Sequence, residues 1–186
     1  HTIVSLGGHV QRLQGDGVFA YFGGKNIPHK QAVEMALLAT SMFTYFMQTD
    51  LKKVFAEDGI ENIKTKIGID FGYDEEVLWA TFGMKNIIEL TTLSLHTSLA
   101  HKMLQYAERN GINVGKNISE VYGYKEELFS IVSEKDRYIY VSKNRGINYN
   151  QYRFNWLRFL KSRPNIGQHE DGSLYIIHKW YTIMPL

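Results

Sequence analysis

Apolar and polar positions change period several times along the chain, and each change marks an element. Residues 9–14, HVQRLQ, set Val10, Arg12 and Gln14 against Gln11 and Leu13, and Gly15-Asp16-Gly17 then interrupts before the apolar run VFAYF at 18–22. A strand, a tight Asp-Gly turn and a second strand form the strongest short-range hairpin signal, with Asp16 at the tip. Gly23, Gly24 and Pro28 punctuate the chain, and from His29 to about Ala56 apolar residues recur at Val33, Ala36, Leu37, Phe43, Phe46 and Met47. That spacing predicts one long amphipathic helix. NIKTKIGIDFGY (62–73) places Ile63, Ile67, Ile69 and Phe71 on a strand pattern, and VLWATFG (77–83) follows as a second β-rich run, so the two are expected to pair.

Residues 89–109 read as a loop followed by a helix burying Leu95, Leu99, Met103 and Tyr106, starting near Thr97 or Ser98 and stopped by Gly111. Beyond it the pattern predicts a short strand and turn over 112–121, a helical turn over 126–132 and a strand over 137–142. A short aromatic helix over 150–162 and a closing strand over 173–183 follow. Strands and helices alternate without a repeat, which predicts a single α/β (α+β) domain with a mixed sheet and covering helices.

Composition narrows the function classes. The 186 residues are 44% hydrophobic and 13% aromatic, enough for one globular core, with ordinary glycine and proline usage. Twenty-one Lys and Arg against nineteen Asp and Glu give a net charge of +2, so no global field calls for nucleic acid or an anionic membrane. Cysteine is absent, which removes disulfides, thiolate zinc sites and cysteine nucleophiles and makes a cytoplasmic setting the default expectation. No run of eighteen apolar residues suggests a membrane span. The chain opens at His1 in a segment already patterned like structure, so residues upstream are expected.

Asp16 is the first residue with candidate chemistry. Asp-Gly is good turn chemistry in its own right, but a carboxylate at the end of two apolar strands also suits a cation. In its surroundings the chain resembles the class III nucleotidyl cyclase catalytic domain. GGHVQRLQGDGVFAYFGG (7–24) is similar to the family's hairpin that delivers its second metal-binding aspartate, KTKIGIDFG (64–72) to its Ile-Gly-Ile strand, and ELTTLSLHTSLAHKM (89–103) to its base-selecting loop and following helix. Together with NQYRFNWLRFLKSRP (150–164), the likeness is greatest to the bacterial pyrimidine cyclases of Pycsar antiphage defence.

The resemblance implies a ferredoxin-like sandwich and a reaction with two divalent cations, Mg²⁺ or Mn²⁺. The ribose 3′-hydroxyl of a nucleoside triphosphate attacks its α-phosphate and expels pyrophosphate. Asp16 matches one metal-binding aspartate. The other lies, in the family, on an upstream strand that this sequence lacks, and neither Asp70 nor Asp74 fits its position. Lys64 matches a base-reading lysine, Thr91 stands where ATP-using members carry an aspartate, and Ser98 and Lys102 stand in place of an Asn-x-x-x-Arg pair that holds the ribose and the α-phosphate. Without a carboxylate at Thr91, adenine is disfavoured, and an ammonium beside a hydroxyl suits the carbonyls of uracil. UTP conversion to cyclic UMP is therefore expected, with cytidylate or adenylate cyclase, or a nucleotide-binding domain without turnover, as the alternatives. The family joins Asp16 of one chain to Lys64, Thr91, Ser98 and Lys102 of another, so a homodimer is expected.

Other features carry less. On spacing alone Lys102 is a solvated helix lysine and Lys64 an edge-strand charge. Between Ser133 and Pro164 eight Lys or Arg lie among aromatics against two acids, a composition suited to single-stranded nucleic acid. Helical spacing at Phe154, Leu157 and Leu160 is better explained by packing, so no nucleic-acid partner is expected. The seven histidines show no His-x-x-x-His pair, and zinc is not expected.

Overall fold

A computed structural model describes residues 1–60, 63–84 and 87–177. In chain order they form α1 (Thr2–Ser5), β1 (Gly8–Gln14), β2 (Gly17–Phe22), α2 (His29–Gln48), α3 (Asp50–Glu57), β3 (Lys66–Ile69), β4 (Leu78–Met84) and β5 (Ile87–Leu93). There follow α4 (Leu95–Tyr106), β6 (Gly111–Gly115), α5 (Lys116–Tyr122), β7 (Phe129–Ile131), β8 (Tyr138–Ser142), β9 (Ile147–Phe154), α6 (Trp156–Lys161), β10 (Ile166–Gln168) and β11 (Leu174–Ile176).

The central sheet runs β3-β6-β9-β7, with β8 also on β9; β3 and β6 are parallel and the other pairs antiparallel. Strand alternation divides β3 between two layers. Ile67 and Ile69 pack toward the core built by Val33, Leu37 and Leu38 of α2 with Ile112, Val114, Phe129, Phe154 and Phe159. Gly68 and Asp70 point the other way, toward α4, which buries Leu99 and Met103 with Ile139 and Tyr149. The sheet is thus sandwiched between α2 and α4. At Gly68 a Cβ would strike the Ala100 carbonyl, so the helix backbone can lie on this strand only over glycine.

Several elements differ from the sequence expectations. The hairpin is present, but its two-residue loop is Gly15-Asp16: Gly15 takes φ +61 and Gly17 already pairs with Gln14. The long helix breaks at Thr49 (φ −113, ψ −85), whose hydroxyl bonds back to the Tyr45 carbonyl. β3 does not pair with β4. β3 takes β6 as its parallel neighbour and β4 pairs with β5, so the start of 89–109 is strand rather than loop. Residues 129–131 are the strand β7, not a helical turn. Of 150–162 only 156–161 is helix; 150–154 completes β9, because Tyr149, Gln151 and Phe154 turn inward and the Gln151 amide donates to the Asp136 carbonyl. The closing strand is β11, and 178–183 lies outside the described residues. Among the described residues no helix is long and apolar enough to cross a membrane.

Candidate active site

The hairpin β1-β2 stands apart from the central sheet, and a cavity of about 1130 Å³ lies between them, bounded by β2, β3 and α4. Among the described residues β2 pairs only with β1, and β3 ends its sheet, so both strands turn an unpaired edge to this space. Asp16 is exposed on the cavity rim, with Lys66, Asp74 and His101 among the other charged or titratable residues lining it.

Helical geometry gives α4 three faces. His96, Leu99 and Met103 are buried against the sheet, Thr97, Ala100 and His101 line the cavity, and Ser98 and Lys102 lie one turn apart on an exposed stripe with Leu95 and Tyr106. Ser94 caps the helix, its hydroxyl accepting from the His96 amide at 3.1 Å.

Thr91 projects from β5 away from the cavity and meets the other hairpin. The Gln11 amide nitrogen donates to the Thr91 hydroxyl at 2.9 Å, and Tyr21 packs edge-on against Trp79 with ring centres 4.7 Å apart. Gln11 reaches Thr91 because β1 bulges there: Val10 pairs with Ala20 and Arg12 with Phe19, leaving Gln11 outside the ladder. Its other amide atom, Oε1, is buried with no hydrogen-bond partner. A buried carbonyl without a donor is costly, and turning the amide end for end would let it accept from the Thr91 hydroxyl.

Behind the start of α4 lies a fully connected polar network. The Asp70 side chain is 0% exposed; the Tyr149 hydroxyl donates to Oδ1 at 2.7 Å and His96 Nδ1 bonds Oδ2 at 2.8 Å. The second imidazole nitrogen of His96 faces Glu76 Oε2 at 3.2 Å, and the Asn117 backbone N–H donates to the Tyr149 oxygen at 3.1 Å. Burial holds the Asp70 carboxyl above the usual carboxylate range, against donors from His96 and Tyr149 that favour its charge. For His96 burial disfavours the imidazolium, but Asp70 and Glu76 outweigh it and hold the imidazole above its ordinary value. Burial and the adjacent Asp70 charge push the Tyr149 phenol far up, so it remains a donor.

The structure brings together only some of the expected site residues. Thr91 lies on β5 four residues before α4, Ser98 is in the first turn of α4, and Lys102 follows one turn further along the same exposed stripe. Lys64 lies apart from them: the Thr65 amide bonds the Asn110 side chain beyond the far end of this helix, and twelve helical residues span roughly 18 Å. Asp16 offers one exposed carboxylate, and among the described residues no group of three or more acidic, His or Cys side chains could hold a metal ion. The donors present are therefore compatible with one arm of a cation site and do not complete one. Sequence reasoning passed over Gln11, His96 and Tyr149, and weighed Asp70 only as a metal ligand. The only signal for them was a buried-pattern aspartate in IGIDFG, whose partners lie 26 and 79 residues away.

No family model matches the chain. It is 40% identical over 162 residues to a cytidylate cyclase of Staphylococcus aureus, covering 83% of this chain and 38% of that protein. It is 31% identical over 175 residues to a cytidylate cyclase of Escherichia coli, covering 88% and 38%. The chain thus spans well under half the length of the curated relatives it matches. Among solved structures, the adenylyl cyclase CyaB from P. aeruginosa superposes with a TM-score of 0.68 at 18% identity over 89% of this chain and 78% of that one. The guanylyl cyclase Cya2 superposes at 0.64 and 16% identity over 82% and 72%. A central sheet between α2 and α4, a detached aspartate-bearing hairpin and these relatives lead to one assignment: the chain belongs to the class III nucleotidyl cyclases.

Proposed function

We propose that the protein containing this chain is a nucleotidyl cyclase that converts CTP to 3′,5′-cyclic CMP and pyrophosphate, working as a homodimer. The observation that carries the choice of base is the likeness to relatives named cytidylate cyclase, and the Gln11-Thr91 pair is where a base would be read. The Gln11 amide and the Thr91 hydroxyl can each donate or accept, so turned toward a base the pair can present an acceptor beside a donor. Acceptor beside donor complements the amino group and ring N3 of cytosine. The opposite amide orientation would present the pattern for uracil, so this single side chain is the point of discrimination. The uracil expectation depended on an ammonium at Lys64 beside Thr91, and within one subunit these two residues stand at opposite ends of α4.

Ser98 would hold the ribose and Lys102 would place positive charge at the α-phosphate, both from the exposed stripe of α4 where a partner subunit's triphosphate site can reach them. Apolar side chains exposed on the neighbouring hairpin, Leu78, Trp79, Leu90 and Leu93, supply surface for such a dimer. Divalent cations would activate the 3′-hydroxyl and neutralise the phosphates, with Asp16 as one ligand. A role in antiviral signalling accords with the Pycsar likeness.

The test is a competition assay on the full-length protein with CTP and UTP, for wild type and Gln11→Leu. Removing one buried hydrogen bond to the base is worth about tenfold in selectivity. Wild type should favour CTP and Gln11→Leu should lose roughly that factor. Selectivity unchanged by the substitution would show that Gln11 does not read the base.

A further inference from the structure

The first turn of α4 carries a residue that an isolated helix would avoid. A cation at a helix N-terminus opposes the dipole, and His96 is the second residue of α4. Its side chain is nevertheless 7% exposed and held on both nitrogens, by the Asp70 carboxylate on one side and Glu76 on the other. Asp70 follows β3 directly, and Glu76 closes the 3₁₀ turn Asp74–Glu76, so His96 ties the helix start to both ends of the 70–76 segment. Each partner is itself fixed. Tyr149 of β9 donates to Asp70, and Glu76 Oε2 accepts from the Tyr73 amide at 2.9 Å.

Residues on a helix turn by 100° per position, so the side that His96 anchors determines where Ser98 and Lys102 face. We propose that His96, as an imidazolium bridging Asp70 and Glu76, is the positioning residue that sets the rotation of α4, so that cyclisation slows when His96 loses its proton. The inference rests on Ser98 and Lys102 serving the substrate as described above.

The consequence of deprotonation follows from the geometry. Nδ1 keeps its hydrogen for Asp70, which lies closer, and Nε2 gives its hydrogen up. A lone pair then faces the Glu76 carboxylate at 3.2 Å, an attraction turned into repulsion. Asp70, Glu76 and Tyr149 are the titratable groups facing His96 from the elements packed against it. The two carboxylates hold the imidazole above its ordinary value despite burial, and Tyr149 remains protonated. The sign is fixed by that direction: the clamp is complete below the unfolded pKa of histidine and is lost as pH rises through the folded one.

Steady-state kinetics of full-length wild type, His96→Asn and Glu76→Gln from about pH 6 to 9 test this. The asparagine amide retains a donor for Asp70 but cannot titrate. Wild-type kcat should carry a decline centred above the ordinary histidine value with KM nearly constant. In His96→Asn that limb should be absent, with kcat low throughout. In Glu76→Gln it should move to lower pH, because a carboxylate favouring the imidazolium is gone. A limb that persists unchanged in both variants overturns the proposal. If wild type turns over no nucleotide, the cyclase reading itself fails, and NMR titration of the His96 ring still decides the clamp. A value above that of free histidine that falls in Glu76→Gln supports it, and a value at or below free histidine in wild type overturns it.

Discussion

Tyr149→Phe isolates the buried network, since it deletes one oxygen and leaves the ring packed between His96 and the β8-β9 sheet. In the native protein that oxygen donates to Asp70 at 2.7 Å and accepts from the Asn117 backbone N–H at 3.1 Å. A hydrogen bond to a charged group contributes about 1.5–3 kcal/mol, and a buried amide left without an acceptor costs about 1–3 kcal/mol. The two are neighbours on one atom and will not add fully, so a loss of about 3 kcal/mol is expected. For a domain of this size that corresponds to a fall of about 6–12 °C in Tm. Urea denaturation at neutral pH should show a lower midpoint with an unchanged m value, the signature of lost stability rather than altered compactness. The loss should shrink in acid, where Asp70 is protonated and no longer prefers a donor. A loss below about 0.5 kcal/mol would be an ordinary surface effect and would refute the description of Asp70 as a carboxylate held by Tyr149.

Other consequences are more direct. Gly115→Ala would drive a Cβ into the Asp70 carboxylate, so a destabilisation of about 2 kcal/mol or more is expected by thermal denaturation, and a neutral result would show that Asp70 can turn away. Asp16→Ala should abolish turnover while leaving Tm within about a degree, because the side chain is exposed; retained activity would remove Asp16 from the metal site. Mixing inactive Asp16→Ala with inactive Lys102→Ala protein should restore part of the activity through one intact interface site per heterodimer. Absence of rescue would argue against a site shared between subunits.

The fold was legible where a local rule decided it. Gly15-Asp16-Gly17 between alternating runs specified the hairpin, and the Leu99-Met103 spacing specified α4, although the helix starts at Leu95 rather than near Thr97 or Ser98 and leaves the expected core residues Leu95 and Tyr106 exposed. It was illegible where tertiary partners decided it. The polar residues Asn148, Asn150 and Gln151 make β9 look unlike an inner strand, yet Gln151 is buried and bonded to Asn113 and Asp136. β3 finds its neighbour across a hairpin and a helix, a pairing that periodicity does not encode. The resemblance singled out Thr91, Ser98 and Lys102, of which Ser98 and Lys102 lie one turn apart on an exposed stripe of α4. Gln11 escaped because a bulge, which has no signature in HVQRLQ, aims it at β5. Asp70 was set aside as a metal ligand; its carboxylate is instead occupied by His96 and Tyr149.

The most direct measurement is of product. Full-length protein incubated with Mn²⁺ or Mg²⁺ and each of ATP, GTP, CTP and UTP in turn should, by mass spectrometry, yield cyclic CMP from CTP as the dominant cyclic monophosphate. A purine cyclic product, or a folded dimer that makes no cyclic nucleotide from CTP, would contradict the assignment.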